Sequence, residues 1–186
     1  MGRDGRGIIG IDYSMTSPSL CVFTNAKFSY SKCKFYFLTD KKKLEVKNKT
    51  IEGTLFDEYV TQQERFDFIS SWAMNIINKY KPDVVYMEDY SFGSTGRVFN
   101  IAENAGLLKY KMWISKQKFY TIPPTVIKKF ATGKGNANKE AMEKAFISET
   151  AVDVKKMLNL TPSQWNPSSD IIDSYYICKY GYGIQQ

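Results

Sequence analysis

Residues 7–20 read GIIGIDYSMTSPSL, a run of apolar, partly β-branched residues that ends on a carboxylate, Asp12, and breaks into a hydroxyl-rich turn. The apolar run has the length and composition of a buried strand. An unpaired charge is costly to remove from water. Asp12 therefore either starts a turn or faces something cationic.

Outward from that strand, residues 19–25 and 28–37 read as a hairpin turning at Asn25-Ala26-Lys27. Residues 40–60 fit no single element, and Lys41-Lys42-Lys43 is most simply a charged turn. From Gln63 to Lys81 the apolar residues Phe66, Ile69, Ala73, Ile76, Ile77 and Tyr80 recur at helical spacing. Pro82-Asp83 ends that helix, and VVYME (84–88) is a second buried strand. A helix over 97–117 and a short strand FYTI (119–122) follow. Pro124 is placed to open a helix through about Ala131. The loop TGKGNAN leads to a helix capped by Asn138. The last helix runs from about Ser169 to Tyr180, with Gly181 placed to stop it. A three-stranded meander followed by helices alternating with short strands predicts an α/β domain with a mixed sheet. At 186 residues the chain is expected to be one domain spanning 1–186.

Composition narrows the chemistry. There is no histidine, which removes Ser-His and Cys-His catalysis, any histidine general base, and the usual zinc sites. The three cysteines, Cys21, Cys33 and Cys178, are widely spaced and read as small buried hydrophobes in a reducing compartment. No stretch is long and apolar enough to span a bilayer, and no signal-peptide core precedes the first strand, so a cytoplasmic location and no membrane partner are expected. The net charge of +7 rests mainly on lysine, since only Arg3, Arg6, Arg65 and Arg97 are arginines. Lysine suits phosphate backbones better than bidentate reading of bases. With 15% aromatics, this fits a nucleic-acid binder that reads shape, or equally the solvated surface of a protein from an AT-rich genome.

Four carboxylates stand out. Asp12 and Glu88 each end a buried strand, at the sheet edge where α/β folds form ligand sites. In SSDIIDSYY, Asp170 and Asp173 are three apart and share a face of the helix start. Each alone also fits a plain role as a turn starter, strand end, helix-dipole partner or solvated residue. Together they would repel unless cations bound between them. All-oxygen ligation points to Mg²⁺ or Mn²⁺, and two such ions ~3.5–4 Å apart are the usual arrangement for attack on a phosphodiester.

In order and context these acids resemble those of the RuvC-type Holliday-junction resolvases of the RNase H-like nuclease superfamily. IIGIDYS resembles the family's first-strand motif, and VVYMEDYSFG with NIAENAGLLKYKM resembles its glutamate strand and following helix. IPPTVIKKFATGKGNANKEAM resembles the basic segment, and SSDIIDSYYIC the closing D-x-x-D helix. The resemblance runs from about residue 7 to 180, and the lysine-rich composition looks more like a bacteriophage branch. It implies an RNase H-like mixed five-stranded sheet flanked by helices. Asp12, Glu88, Asp170 and Asp173 would be catalytic metal ligands for two Mg²⁺ ions, with Mn²⁺ able to substitute. Lys139 would assist catalysis, and Lys128, Lys134 and Lys139 would contact DNA. The family's aromatic wedge, three residues after the glutamate, is Ser91 here, so Tyr90 and Phe92 become the candidates to stack on DNA.

The expected activity is two-metal-ion hydrolysis of four-way junctions by a homodimer, with no nucleotide cofactor. The helix at 97–117, through Leu107, Leu108, Met112 and Trp113, is the expected interface, although those residues also suit a core. Alternatives are a nuclease of the same fold acting on flaps, Y-forks or three-way junctions, and a non-catalytic junction-binding module. An actin-like ATPase also has an acidic first-strand turn, but that fold needs two such domains around its nucleotide.

Overall fold

A computed structural model describes residues 7–89 and 98–185. The strands are β1 (Ile8–Asp12), β2 (Ser19–Phe23), β3 (Cys33–Thr39), β4 (Ile51–Leu55), β5 (Val84–Glu88) and β6 (Phe119–Ile122). They form one mixed sheet in the order β4-β3-β2-β1-β5-β6. The expected meander is present, with β1, β2 and β3 antiparallel in turn, while β5 runs parallel to β1 and β6 parallel to β5. The α/β architecture agrees with the sequence reading, but among the described residues the sheet has six strands rather than five. The additional strand is β4, from the ambiguous stretch; it lies parallel to β3 and packs Gly53 under Leu44 and Phe37.

Helices cover both faces. α1 (Gln62–Tyr80) and α2 (Val98–Ile114) pack on one side; α3 (Pro124–Thr132), α4 (Lys139–Thr150), the short α5 (Val154–Met157) and α6 (Ser168–Gly183) occupy the other. Strand alternation sorts the core accordingly. Ile9, Ile11, Val85 and Met87 pack towards α1 and α2, while Ile8, Val84 and Tyr86 pack towards α6. α1 opens with a capping box in which Thr61 accepts from the Glu64 amide at 3.2 Å and Glu64 accepts from the Thr61 amide at 3.2 Å. Asn138 caps α4 as expected, accepting from the Ala141 amide at 2.9 Å. The three cysteines are buried and free. Among the described residues no helix is long and apolar enough to cross a membrane.

Three local expectations change. The β2–β3 connection is not a tight turn at Asn25-Ala26-Lys27, because the strands separate at Phe23 and Cys33. Phe28 and Tyr30 fold back into the core, with ring centroids 4.7 Å from Phe23 and 5.7 Å from Phe146, instead of extending a strand. The aromatic area buried this way outweighs two more rungs of ladder. Gly181 does not stop α6, which continues to Gly183. It sits inside the helix against the Tyr86 ring, where a methyl group would collide. On α2, Leu108 and Met112 are core residues and Leu107 is half-buried, whereas Trp113 is exposed.

α6 lies tightly against β1. A Cβ on Gly10 would run into the backbone of Ser174 and Cys178. Gly10→Ala should therefore push helix and strand apart and cost about 1–3 kcal/mol or more, the usual range for overpacking a filled core. Urea denaturation of the variant beside the wild type measures this; an unchanged midpoint would contradict the packing.

Candidate active site

Parallel pairing sets Ile8 opposite Val84 and Ile11 opposite Met87. One residue further on, Asp12 and Glu88 end neighbouring strands side by side, on the face covered by α6. The two-residue strand period puts them in line with Gly10 and Tyr86. α6 arrives over the same strand ends, with Asp170 in its first turn and Asp173 nearly one turn later. The four acids thus come from three elements, and the structure brings all of them together.

Their electrostatics reflect that crowding. Asp12 is held well above the usual carboxylate range, first by burial and then by the charges of Asp170, Glu88 and Asp173. Asp12 and Asp170 lie within hydrogen-bonding reach of each other. Burial pushes Glu88 up to about 7, against the opposing pull of the Lys128 ammonium. Asp173 rises to about 8 through burial, Glu88 and Asp170, with Lys128 and Lys139 pulling the other way. Asp170 is also raised by burial, but a hydrogen bond from Ser17 opposes the rise. Among the described residues no three His, Cys, Asp or Glu side chains converge on one point, so the site is a basin of carboxylates rather than a closed ligand cage.

A pocket of about 320 Å³ opens beside the acids, lined by Glu88, Asp173, Lys128, Lys139 and Trp165 among others. Lys128 comes from α3 and Lys139 from the first position of α4, so two helices deliver cations to a carboxylate basin. Lys134 is exposed on the loop between these helices and does not line the pocket. Its amide is held by Thr132 Oγ1 at 3.2 Å. Tyr90 and Phe92 lie outside the described residues.

Sequence reasoning missed Ser17, Trp165 and Asn166. Ser17 Oγ donates to Asp170 Oδ2 at 2.5 Å, and Asn166 Nδ2 donates to Ser17 Oγ at 2.9 Å. Lys155 Nζ sits 3.4 Å from the Trp165 ring centroid and donates to Glu143 at 3.2 Å and to the Pro162 carbonyl at 3.0 Å. That clamp fixes the segment before α6. The only local signals were the hydroxyl-rich turn after Asp12 and the Asn166-Pro167 pair, and neither names a partner.

The donor set fits a hard divalent cation: four carboxylates, no histidine or cysteine, and a surplus of negative charge that burial makes costly.

No family model matches the chain. It is 29% identical over 121 residues, 62% of this chain and 72% of the relative, to the crossover junction endodeoxyribonuclease RuvC of Brachyspira hyodysenteriae. Among solved structures it is similar to T. thermophilus RuvC in complex with Holliday junction substrate, with TM-score 0.61, 15% identity, and 94% of this chain and 91% of that one covered. It is also similar to the yeast mitochondrial Holliday junction resolvase Ydc2, with TM-score 0.57, 16% identity, and 96% and 78% covered. The six-stranded mixed sheet flanked by helices thus has the fold of these RuvC-like structures. The chain is RuvC-like in sequence as well as in fold.

The raised carboxyls have a consequence for stability. In the unfolded chain these acids ionise near pH 4, whereas in the folded protein Glu88 and Asp173 keep their protons to about 7 and about 8. The contribution of these groups to stability is thus greatest at low pH, and it is lost as pH rises from about 4 through about 8. The melting temperature of metal-free protein should fall between pH 5 and pH 8.5. Asp173→Asn should flatten that slope and melt higher than wild type at pH 8; a slope unchanged in the variant would refute the assignment.

Proposed function

We propose that this protein is a structure-selective DNA endonuclease that resolves four-way junctions, as the RuvC relative's name and the junction-bound RuvC structure describe for those proteins. The observation that carries the reading is the basin itself, in which Asp12, Glu88, Asp170 and Asp173 meet beside Lys128 and Lys139 on a RuvC-type fold. Asp12 holds the centre of the site, with Glu88 on the β5 side and the Asp170/Asp173 pair on the α6 side. Together they would hold divalent ions, two Mg²⁺ by this reading, with Mn²⁺ able to substitute. Once bound, such ions would acidify water and neutralise charge at the scissile phosphate.

The chain's own residues do the rest. Lys128 and Lys139 place ammonium groups where a phosphate enters the basin, and Lys134 extends the basic surface along the α3–α4 loop. Contacts of this kind fix position without reading sequence, which suits selection by junction shape. Tyr90 and Phe92 follow Glu88 by two and four residues in the sequence and remain the candidates for stacking at the crossover.

A four-way junction has near two-fold symmetry, and paired cuts call for a C2 dimer. The outer face of α2 is the best surface for it: Phe99, Tyr110, Trp113 and Ile114 are exposed there, with the Tyr110 and Trp113 rings stacked at 6.1 Å. Leu108 and Met112 face the core and take no part. Trp113→Glu should convert a dimer to monomer in sedimentation or light scattering and leave the fold intact. A variant that remains dimeric would place the interface elsewhere.

The direct test is incubation with synthetic four-way, three-way and linear DNA, with and without Mg²⁺. Wild type should cut the four-way junction only with the ion, and Asp12→Asn should abolish cleavage while still binding the junction. Equal cutting of three-way or forked DNA would favour the broader branched-DNA reading. Normal turnover by folded Asp12→Asn protein would remove the basin from the mechanism.

A further inference from the structure

We propose that Ser17 and Asn166 are positioning residues that set the orientation of Asp170 and tie it to Lys139. The inference rests on the reading of the acidic basin as a metal-dependent nuclease site. Four groups form one directed chain of hydrogen bonds. Lys139 Nζ donates to Asn166 Oδ1 at 3.3 Å, Asn166 Nδ2 donates to Ser17 Oγ at 2.9 Å, and Ser17 Oγ donates to Asp170 Oδ2 at 2.5 Å. Ser169 Oγ supports the same Asn166 oxygen at 3.2 Å.

The direction of this chain follows from the chemistry of its members. An ammonium can only donate, so the Asn166 oxygen must face Lys139 and its NH₂ must face Ser17. Asn166 Nδ2 has no acceptor capacity, so Ser17 must receive that bond and has one hydrogen left to give. That hydrogen goes to Asp170 Oδ2, in the short range expected of a bond to a charged acceptor. One oxygen of Asp170 is thereby committed, which fixes the orientation of the carboxyl beside Asp12.

Both middle members of the chain are braced. Ser17 is buried; its amide donates to Ser14 Oγ at 3.0 Å, and Arg65 holds the Met15 carbonyl at 2.5 Å. Asn166 follows Trp165, which Lys155 clamps from the far side. The hydroxyl-rich DYSMTSPS turn thus acquires a task. It carries a hydrogen-bond donor across to a helix whose first turn lies more than 150 residues away in sequence. Groups one shell out from metal ligands typically alter metal affinity or activity by ~10–100-fold when removed.

The test compares wild type with Ser17→Ala, Ser17→Thr, Asn166→Asp and Asp170→Asn. Mn²⁺ binding to DNA-free protein is read by calorimetry, junction cleavage is split into kcat and KM, and melting temperature is recorded for each. Ser17→Ala and Asn166→Asp should bind Mn²⁺ about tenfold more weakly and lose kcat with KM for the junction unchanged. Ser17→Thr keeps the hydroxyl and should restore both. Asn166→Asp keeps the shape but cannot donate to Ser17, so it decides the matter alone if Ser17→Ala folds poorly. Wild-type Mn²⁺ affinity and kcat in Asn166→Asp and in folded Ser17→Ala, beside an inactive Asp170→Asn, would overturn the relay and leave the basin standing. A lowered melting temperature with unchanged Mn²⁺ affinity would equally overturn it, since that is a purely structural role. Wild type that neither binds Mn²⁺ nor cuts would remove the basin, and the relay with it.

Discussion

The contact between α6 and β1 is the constraint on which the rest of the molecule depends. Four helical residues rise about 6.0 Å and two strand residues about 6.6 Å, so a helix laid along a strand can keep step with it for several rungs. Here Cys178 lies at Ile8, Ser174 and Cys178 close over Gly10, and Asp170 reaches Asp12. The contact needs a residue without a side chain at Gly10. It also needs small partners, and Ser174 hydrogen-bonds Ser19 of the next strand at 3.2 Å. Gly181 repeats the device on β5, under the Tyr86 ring. Because the helix is locked in register, its first turns deliver two carboxylates to the ends of the strands that bear the other two.

That delivery works against the fold. Four acids are taken largely out of water, and burial is the first cause of every raised pKa among them. The surrounding structure offsets part of this with the ammonium groups of Lys128 and Lys139 and with the Ser17 hydroxyl on Asp170. The remainder is a destabilisation that the folded protein carries, and a well-packed scaffold on both faces of the sheet tolerates it. Function and stability pull apart here in the familiar way.

Much of this was legible along the chain. Asp12 and Glu88 were readable because a buried strand that ends in a carboxylate breaks its own apolar pattern. Asp170 and Asp173 were readable because their spacing puts them on one face of a helix. The strands missed or misplaced have physical reasons. IEGTL, the fourth strand, has a glycine at its centre and two polar residues in five, so its apolar signal is weak, and only pairing with β3 makes it a strand. Phe28 and Tyr30 look like strand residues by propensity, but their rings find more to bury in the helical layer. Gly181 reads as a helix stop from its neighbours alone, and only the Tyr86 ring above it shows that closeness of packing is its use.

The sequence by itself determined the class of fold, the burial of its cysteines, and the set of four candidate carboxylates, because these follow from periodicity, composition and the residues that are absent. Tertiary structure alone decided which polar groups meet. Ser17 and Asn166 are ordinary turn residues in the chain, 149 positions apart, and become partners only when α6 settles on Gly10. Leu108, Met112 and Trp113 sit within six residues of each other on one helix. Which of them was core and which was surface depended on where α1 lay against α2, and that is set by packing between elements, which no local pattern records.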